Sequence, residues 1–141
     1  MNPIKKIVQK INEKIHGLEL EGFKPYHHLF EGKKGLEIGG PSQIFKHRDH
    51  LPVYDFASAV DGCNFSTNTV WEGQILEGNN YQYQEGKAKG HQFIAEGNNL
   101  EAIKDGAYDF VLSSHSLEHF ANPLKAVKEW LRVLKPNGTL V

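Results

Sequence analysis

The sequence lacks most features that would settle its class at a glance. It holds one cysteine, Cys63, and one methionine among 141 residues. A lone cysteine excludes an internal disulfide and fits a reducing cytoplasm. No apolar run approaches the ~20 residues of a membrane span. The stretch Met1 to Lys14 is charged throughout and lacks the apolar centre of a secretory leader. Neither sign of charge prevails, since the formal net charge is -1. That leaves no basic footprint for nucleic acid or an anionic membrane. There is no internal repeat or low-complexity tract. There is no G-x-x-x-x-G-K-[ST] and no complete G-x-G-x-x-G, which argues against a phosphate loop and a dinucleotide fingerprint. What is there is ordinary: 39% hydrophobic and 23% charged residues, the balance of one soluble globular domain. The chain therefore reads as a single domain over 1–141, with an N-terminal helix and connector over 1–34 and a core over 35–141.

The most informative stretch is Gly35-Leu36-Glu37-Ile38-Gly39-Gly40-Pro41-Ser42. It reads as a short apolar strand that carries an acid and breaks into a glycine turn. Two adjacent glycines let a ligand approach the backbone and tolerate positive φ. Pro41 and Ser42 then read as a helix start, whose free N–H groups face whatever lies above the turn. A strand, a tight turn and a helix start form the ligand-binding corner of an open α/β sheet.

Other segments follow in order. Ile4, Ile7, Val8, Ile11 and Ile15 recur at helical spacing and predict a helix over Pro3–His16. His27-His28 has no ligand partner at metal spacing. Leu51–Phe56 reads as a second strand, and its Asp55 falls 18 positions after Glu37. That is near the ~20-residue offset at which a carboxylate accepts both hydroxyls of a ribose, with Asp61 as the competing candidate. Ala57–Gly90 has no clean period. Within it Tyr81–Gln84 alternates like a strand, with Gly78-Asn79-Asn80 as its hairpin turn. His91–Ala95 reads as a third strand that stops at Glu96-Gly97-Asn98-Asn99-Leu100. Ala107–Ser113 is a continuous apolar run, as in a central strand buried on both faces. Asn122 is a good N-cap and Pro123 a good first helical residue for a helix to Leu134, with Leu124, Val127, Leu131 and Leu134 as its apolar stripe. Lys135-Pro136-Asn137-Gly138 turns the chain, and Thr139 begins another strand.

His115-Ser116-Leu117-Glu118-His119 spells H-x-x-E-H, a zinc-hydrolase pattern when it lies on a helix. Here it directly follows a buried strand, and Phe120 to Val141 holds no His or Asp and only Glu129 as a further ligand. No metal site is read from it.

Glu37-Ile38-Gly39 resembles the first motif of class I S-adenosylmethionine-dependent methyltransferases, with Pro41 standing in place of a second glycine. The run from Tyr108 to Val141 resembles the fourth-strand to fifth-strand region of the methyltransferase type 11-like group. Its marks are Asp109, Leu117-Glu118-His119, Asn122-Pro123, Glu129, Arg132-Val133-Leu134-Lys135-Pro136 and Gly138. The resemblance implies a Rossmann-like open, mostly parallel sheet of about five strands with flanking helices, a C-terminally shortened form of a seven-strand fold. It implies S-adenosyl-L-methionine as cofactor and methyl transfer to a small-molecule acceptor. The alternative is a module of the same fold that binds the cofactor or its product without turnover. The resemblance places Glu37 on the methionine ammonium, Gly39, Gly40 and Pro41 in the cofactor turn, Asp55 on the ribose and Ser114 near the sulfonium. Glu96, Gly97 and Leu100 fall at the adenine, and His115 and His119 are the candidate bases. An uncovered fifth-strand edge leads us to expect a homo-oligomer.

Overall fold

The computed structural model describes residues 22–69 and 73–141, together with Ile4, Ile7 and Ile11. The rest of the expected helix over Pro3–His16, and Trp71, lie outside the described residues. Ile4, Ile7 and Ile11 are helical and exposed. A 3-10 helix, Lys24–Leu29, leads into the first strand.

The strands are β1 (Lys34–Ile38), β2 (Ala59–Asn64), β3 (Asn68–Thr69), β4 (Gly73–Gln74), β5 (Gly78–Tyr81), β6 (Gly90–Ile94), β7 (Tyr108–Ser113) and β8 (Leu134–Leu140). Between them lie two α-helices, α1 (Val53–Phe56) and α2 (Pro123–Val133). Six strands form one sheet in the order β5-β6-β2-β1-β7-β8. All run parallel except β5, which pairs antiparallel with β6 at the edge. β3 and β4 form a separate two-stranded ribbon. The architecture is the Rossmann-like open sheet, with one antiparallel edge strand added.

Both faces of the sheet are covered, as parallel sheets require. Phe23, Phe30, Phe45, Val53, Tyr54, Tyr83, Phe110 and Leu112 fill one face. Leu36, Ile38, Leu100, Val111, Trp130 and Val133 fill the other.

The local reading fails at β2 for a clear reason. Leu51–Phe56 is not a strand: it contains the single turn α1, and the second strand is Ala59–Asn64. A short apolar run suits either a helical turn or a strand, so periodicity alone does not separate them. The true strand, Ala-Val-Asp-Gly-Cys-Asn, looks too polar to be buried, yet from Val60 onward all of it is. Asp61 is compensated there by Lys34 Nζ at 2.7 Å, the Tyr108 hydroxyl at 2.7 Å and the His91 N–H at 2.8 Å. Gly62 leaves space for the Tyr81 ring, which a Cβ would meet at 2.3 Å.

Gly78–Tyr81, not Tyr81–Gln84, is the strand beside β6. On α2 the buried stripe is Ala126, Trp130 and Val133, while Leu124 (81% exposed) and Leu131 face outward. The sheet selects the stripe whose indole N–H finds a partner, Gly97 O at 2.8 Å. β8 begins at Leu134, not Thr139. Tyr108 pairs with Leu134 and Phe110 with Thr139, so the Lys-Pro-Asn-Gly turn is accommodated as an irregularity inside the strand.

Candidate functional site

In an open α/β sheet the chain ends that carry chemistry lie at the carboxyl rim, where the strand order reverses. Here β1 has β2 on one side and β7 on the other. The loops after β1, β2, β6 and β7 therefore surround one crevice, made of two adjoining cavities of about 390 Å³ and 570 Å³. Gly39, His115 and His119 line both. Such volumes lie in the range of small-molecule sites.

The turn after β1 is held from below. Gly39 has φ +77°, and a Cβ there would lie 2.7 Å from Ser116 Oγ. The Ser116 hydroxyl donates to Ile38 O at 2.8 Å. Asn64, at the end of β2, donates its amide to Gly40 O at 3.1 Å. Gly40 needs its missing side chain because a Cβ would stand 2.1 Å from the Glu37 carboxyl carbon.

Glu37 itself is fully enclosed. Its Oε1 accepts the Ser42 N–H at 2.9 Å. Its Oε2 accepts the hydroxyls of Tyr54 at 2.5 Å and Tyr81 at 2.7 Å. Burial pushes its pKa upward, against the lowering effect of these donors.

The smaller cavity is walled by Ile38, Phe65, Ala95 and Phe120, with Asn64 and Glu96 supplying polar groups. Phe65 is 60% exposed. Cys63 also lines this cavity, and burial raises its thiol pKa to about 12. Helix α2 fixes the loop after β6. Trp130 binds Gly97 O, the Glu129 carboxylate accepts the Leu100 N–H at 2.9 Å, and Arg132 donates to Leu100 O at 2.8 Å.

The larger cavity takes Pro41, Ser42, Gln43, Ile44, Asp49, His50 and Ser114. Asp49 binds His50 Nδ1 at 2.8 Å and Gln43 Nε2 at 3.1 Å. The His50 contacts, then Gln43, hold its carboxyl below the usual range. His115, at φ +54°, and the exposed His119 stand between the cavities. His115 Nδ1 lies 3.6 Å from Glu118 Oε1. The H-x-x-E-H stretch is not an α-helix. Only Leu117–His119 forms a 3-10 turn. No three His, Cys, Asp or Glu side chains among the described residues gather as a metal would need.

The structure thus brings Gly39, Pro41, Glu96, Gly97, Ser114, His115 and His119 to one crevice. Gly40 lies beneath its floor and Leu100 behind its wall, both buried. Asp55 lines neither cavity. It sits on α1, bound to His47 Nδ1 at 2.8 Å and Gln84 Nε2 at 2.8 Å. The expected placement of Asp55 at a strand end falls with the misplaced strand: the residue at the true end of β2 is Asn64. Sequence reasoning missed Asn64, Phe65, Ser116 and Phe120. Asn64-Phe65-Ser66 could have been found as a polar turn closing a strand, had β2 been recognised.

Apolar walls flanking the polar groups of Asn64 and Glu96, with a bare glycine turn beside them, suit a nucleoside with an attached polar chain. The fold is that of a class I methyltransferase. A family model described as "Methyltransferase domain" matches residues 54–141, more than half of the chain, and the chain belongs to that family, whose methyl donor is S-adenosylmethionine. No curated protein matches the sequence. Among solved structures, it is similar to a chain of the complex containing the Haloferax volcanii Trm112 methyltransferase activator. That likeness has 18% identity and a TM-score of 0.58 over 93% of this chain and 53% of the other. It is also similar to an arsenic(III) S-adenosylmethionine methyltransferase from Chlamydomonas reinhardtii, with 19% identity and a TM-score of 0.55 over 79% and 38% of the two chains. The trans-methyltransferase CalH in complex with SAH gives 17% identity and a TM-score of 0.55 over 77% and 31%. The chain therefore spans between 31% and 53% of the length of these structures.

Proposed function

We propose that this chain binds S-adenosylmethionine in the crevice above β1 and forms the donor-binding part of an enzyme that methylates a small molecule. The observation that carries the reading is convergence: loops from β1, β2, β6 and β7, far apart in sequence, wall one cavity at the strand-order reversal. When bound, the donor supplies an electrophilic methyl group on a sulfonium, so the protein has no donor to activate. Its residues bind, orient and exclude water, and proximity supplies much of the rate.

In this reading Glu96 accepts from the base amino group, and the backbone at Gly97 meets the ring. Phe65 and Phe120 flank the base. Gly39 admits the donor to the backbone, with Pro41 and the Ser114 backbone on the side of the larger cavity. That cavity takes the acceptor. His115 and His119, standing between the two spaces, are placed to take a proton from an acceptor hydroxyl or amine. No helix among the described residues is long and apolar enough to cross a membrane. The free, buried Cys63 fits a reducing compartment such as the cytoplasm.

The test is calorimetric titration with S-adenosylhomocysteine, repeated on Glu96→Ala. Binding by the wild type and a loss of about tenfold in the variant are expected from a charge-assisted hydrogen bond. Absence of both heat and thermal shift in the wild type contradicts the proposal.

A further inference from the structure

The acid of the first motif has no route to a ligand. Glu37 is fully buried, and both of its oxygens are occupied from within the protein. Oε1 takes the Ser42 N–H at 2.9 Å; Oε2 takes the hydroxyls of Tyr54 at 2.5 Å and Tyr81 at 2.7 Å. The same Ser42 N–H lies 3.0 Å from the Tyr54 oxygen. The carboxylate also fills the space that a Gly40 side chain would need. Neither cavity is lined by Glu37, Tyr54 or Tyr81.

The three groups come from different elements. Glu37 is on β1, Tyr54 on α1 and Tyr81 on the antiparallel edge strand β5. A buried acid with this many donors fixes its surroundings more strictly than an apolar residue does, since each missing partner costs a desolvated polar group. The backbone it fixes is Gly40–Ser42, the floor of the crevice.

We propose that Glu37 is a positioning residue that holds the Gly39–Ser42 turn from beneath without touching the methyl donor, and that Tyr54 and Tyr81 hold Glu37. This rests on the donor-binding reading given above. A carboxamide can replace the acid in such a role. Its oxygen still accepts from Ser42, and its amino group donates to the two tyrosyl oxygens, whose protons rotate away. A contact to the donor's ammonium, in contrast, needs the negative charge.

Two probes separate these roles. S-adenosylhomocysteine carries the amino-acid ammonium, and 5′-methylthioadenosine shares the adenosine thioether but lacks it. Calorimetry on Glu37→Gln is expected to give affinities for both probes within about threefold of wild type, with their ratio unchanged. A loss of about tenfold or more for S-adenosylhomocysteine alone is the signature of a charge-assisted contact and overturns the proposal. Tyr54→Phe and Tyr81→Phe keep Glu37 and remove its donors. Each is expected to weaken both probes together, by about fivefold for one lost hydrogen bond. Unchanged affinities, or a loss confined to S-adenosylhomocysteine, also overturn it, and this arm serves even if Glu37→Gln does not fold. Wild-type protein that binds neither probe removes the donor-binding reading itself and the positioning role with it. Wild-type binding with the wrong variant pattern removes only the role assigned to Glu37.

Discussion

At the scale of single residues, the site depends on polar groups held beneath it. Asn64 occupies the place where a carboxylate was sought, and its amide donates to Gly40 O at 3.1 Å and lies 3.4 Å from Gln92 Oε1. Asn64→Asp would point a buried carboxylate at two acceptors. It should lower stability by about 1–3 kcal/mol, read as a lower midpoint in urea, and an unchanged midpoint contradicts this packing. Glu37 supplies a test with a definite sign. Its pKa is raised above the ordinary 4.5 by burial, so the folded state favours the protonated form. Its contribution to stability is present below the unfolded-state value and is lost as pH rises through the folded-state value. Glu37→Gln removes that loss, so the variant's stability relative to wild type should grow as pH rises above the ordinary carboxylate value of 4.5. Thermal melts across that range in which the difference stays flat or shrinks contradict a buried ionisable Glu37. Glu37 and Glu96 are equally visible in the sequence. What the sequence does not show is that burial turns the first into scaffold and leaves the second at the surface of the crevice.

At the scale of elements, α2 does more than cover the sheet. Its Trp130, Glu129 and Arg132 secure the loop that carries Glu96 and Gly97. Trp130→Ala should cost about 3–5 kcal/mol, as for other large buried aromatics, whereas Leu124→Lys should stay within about 0.5 kcal/mol because the residue is a surface position. The reverse order in denaturant titrations would restore the Leu124 stripe as the buried one. The extent of α2 was legible because Asn122 and Pro123 mark its start locally. Its buried face was not, because two apolar stripes coexist and only the sheet chooses between them. β2 shows the same limit more sharply. Its burial depends on Lys34, Tyr108 and His91 N–H around Asp61, and on the Tyr81 ring over Gly62, partners between 19 and 47 positions away. No window of sequence around β2 contains that information.

For the molecule as a whole, the fold class was readable because the strongest segments, β1, β7 and α2, carry their own start, stop and burial signals. Their order is enough to imply a parallel sheet with a carboxyl-end crevice. The crevice's composition was only partly readable, since it depends on which residue ends each strand, and one strand was misplaced. The expected ribose carboxylate therefore fell on Asp55, which the fold puts against His47 and Gln84. The most direct test is amide hydrogen exchange with and without saturating S-adenosylhomocysteine. Added protection is expected together in the four loops at 38–42, 64–66, 95–98 and 113–119, with none around Asp55. Protection that is missing from those loops, or that gathers instead around 46–47 and 82–85, would contradict a donor site at the carboxyl rim.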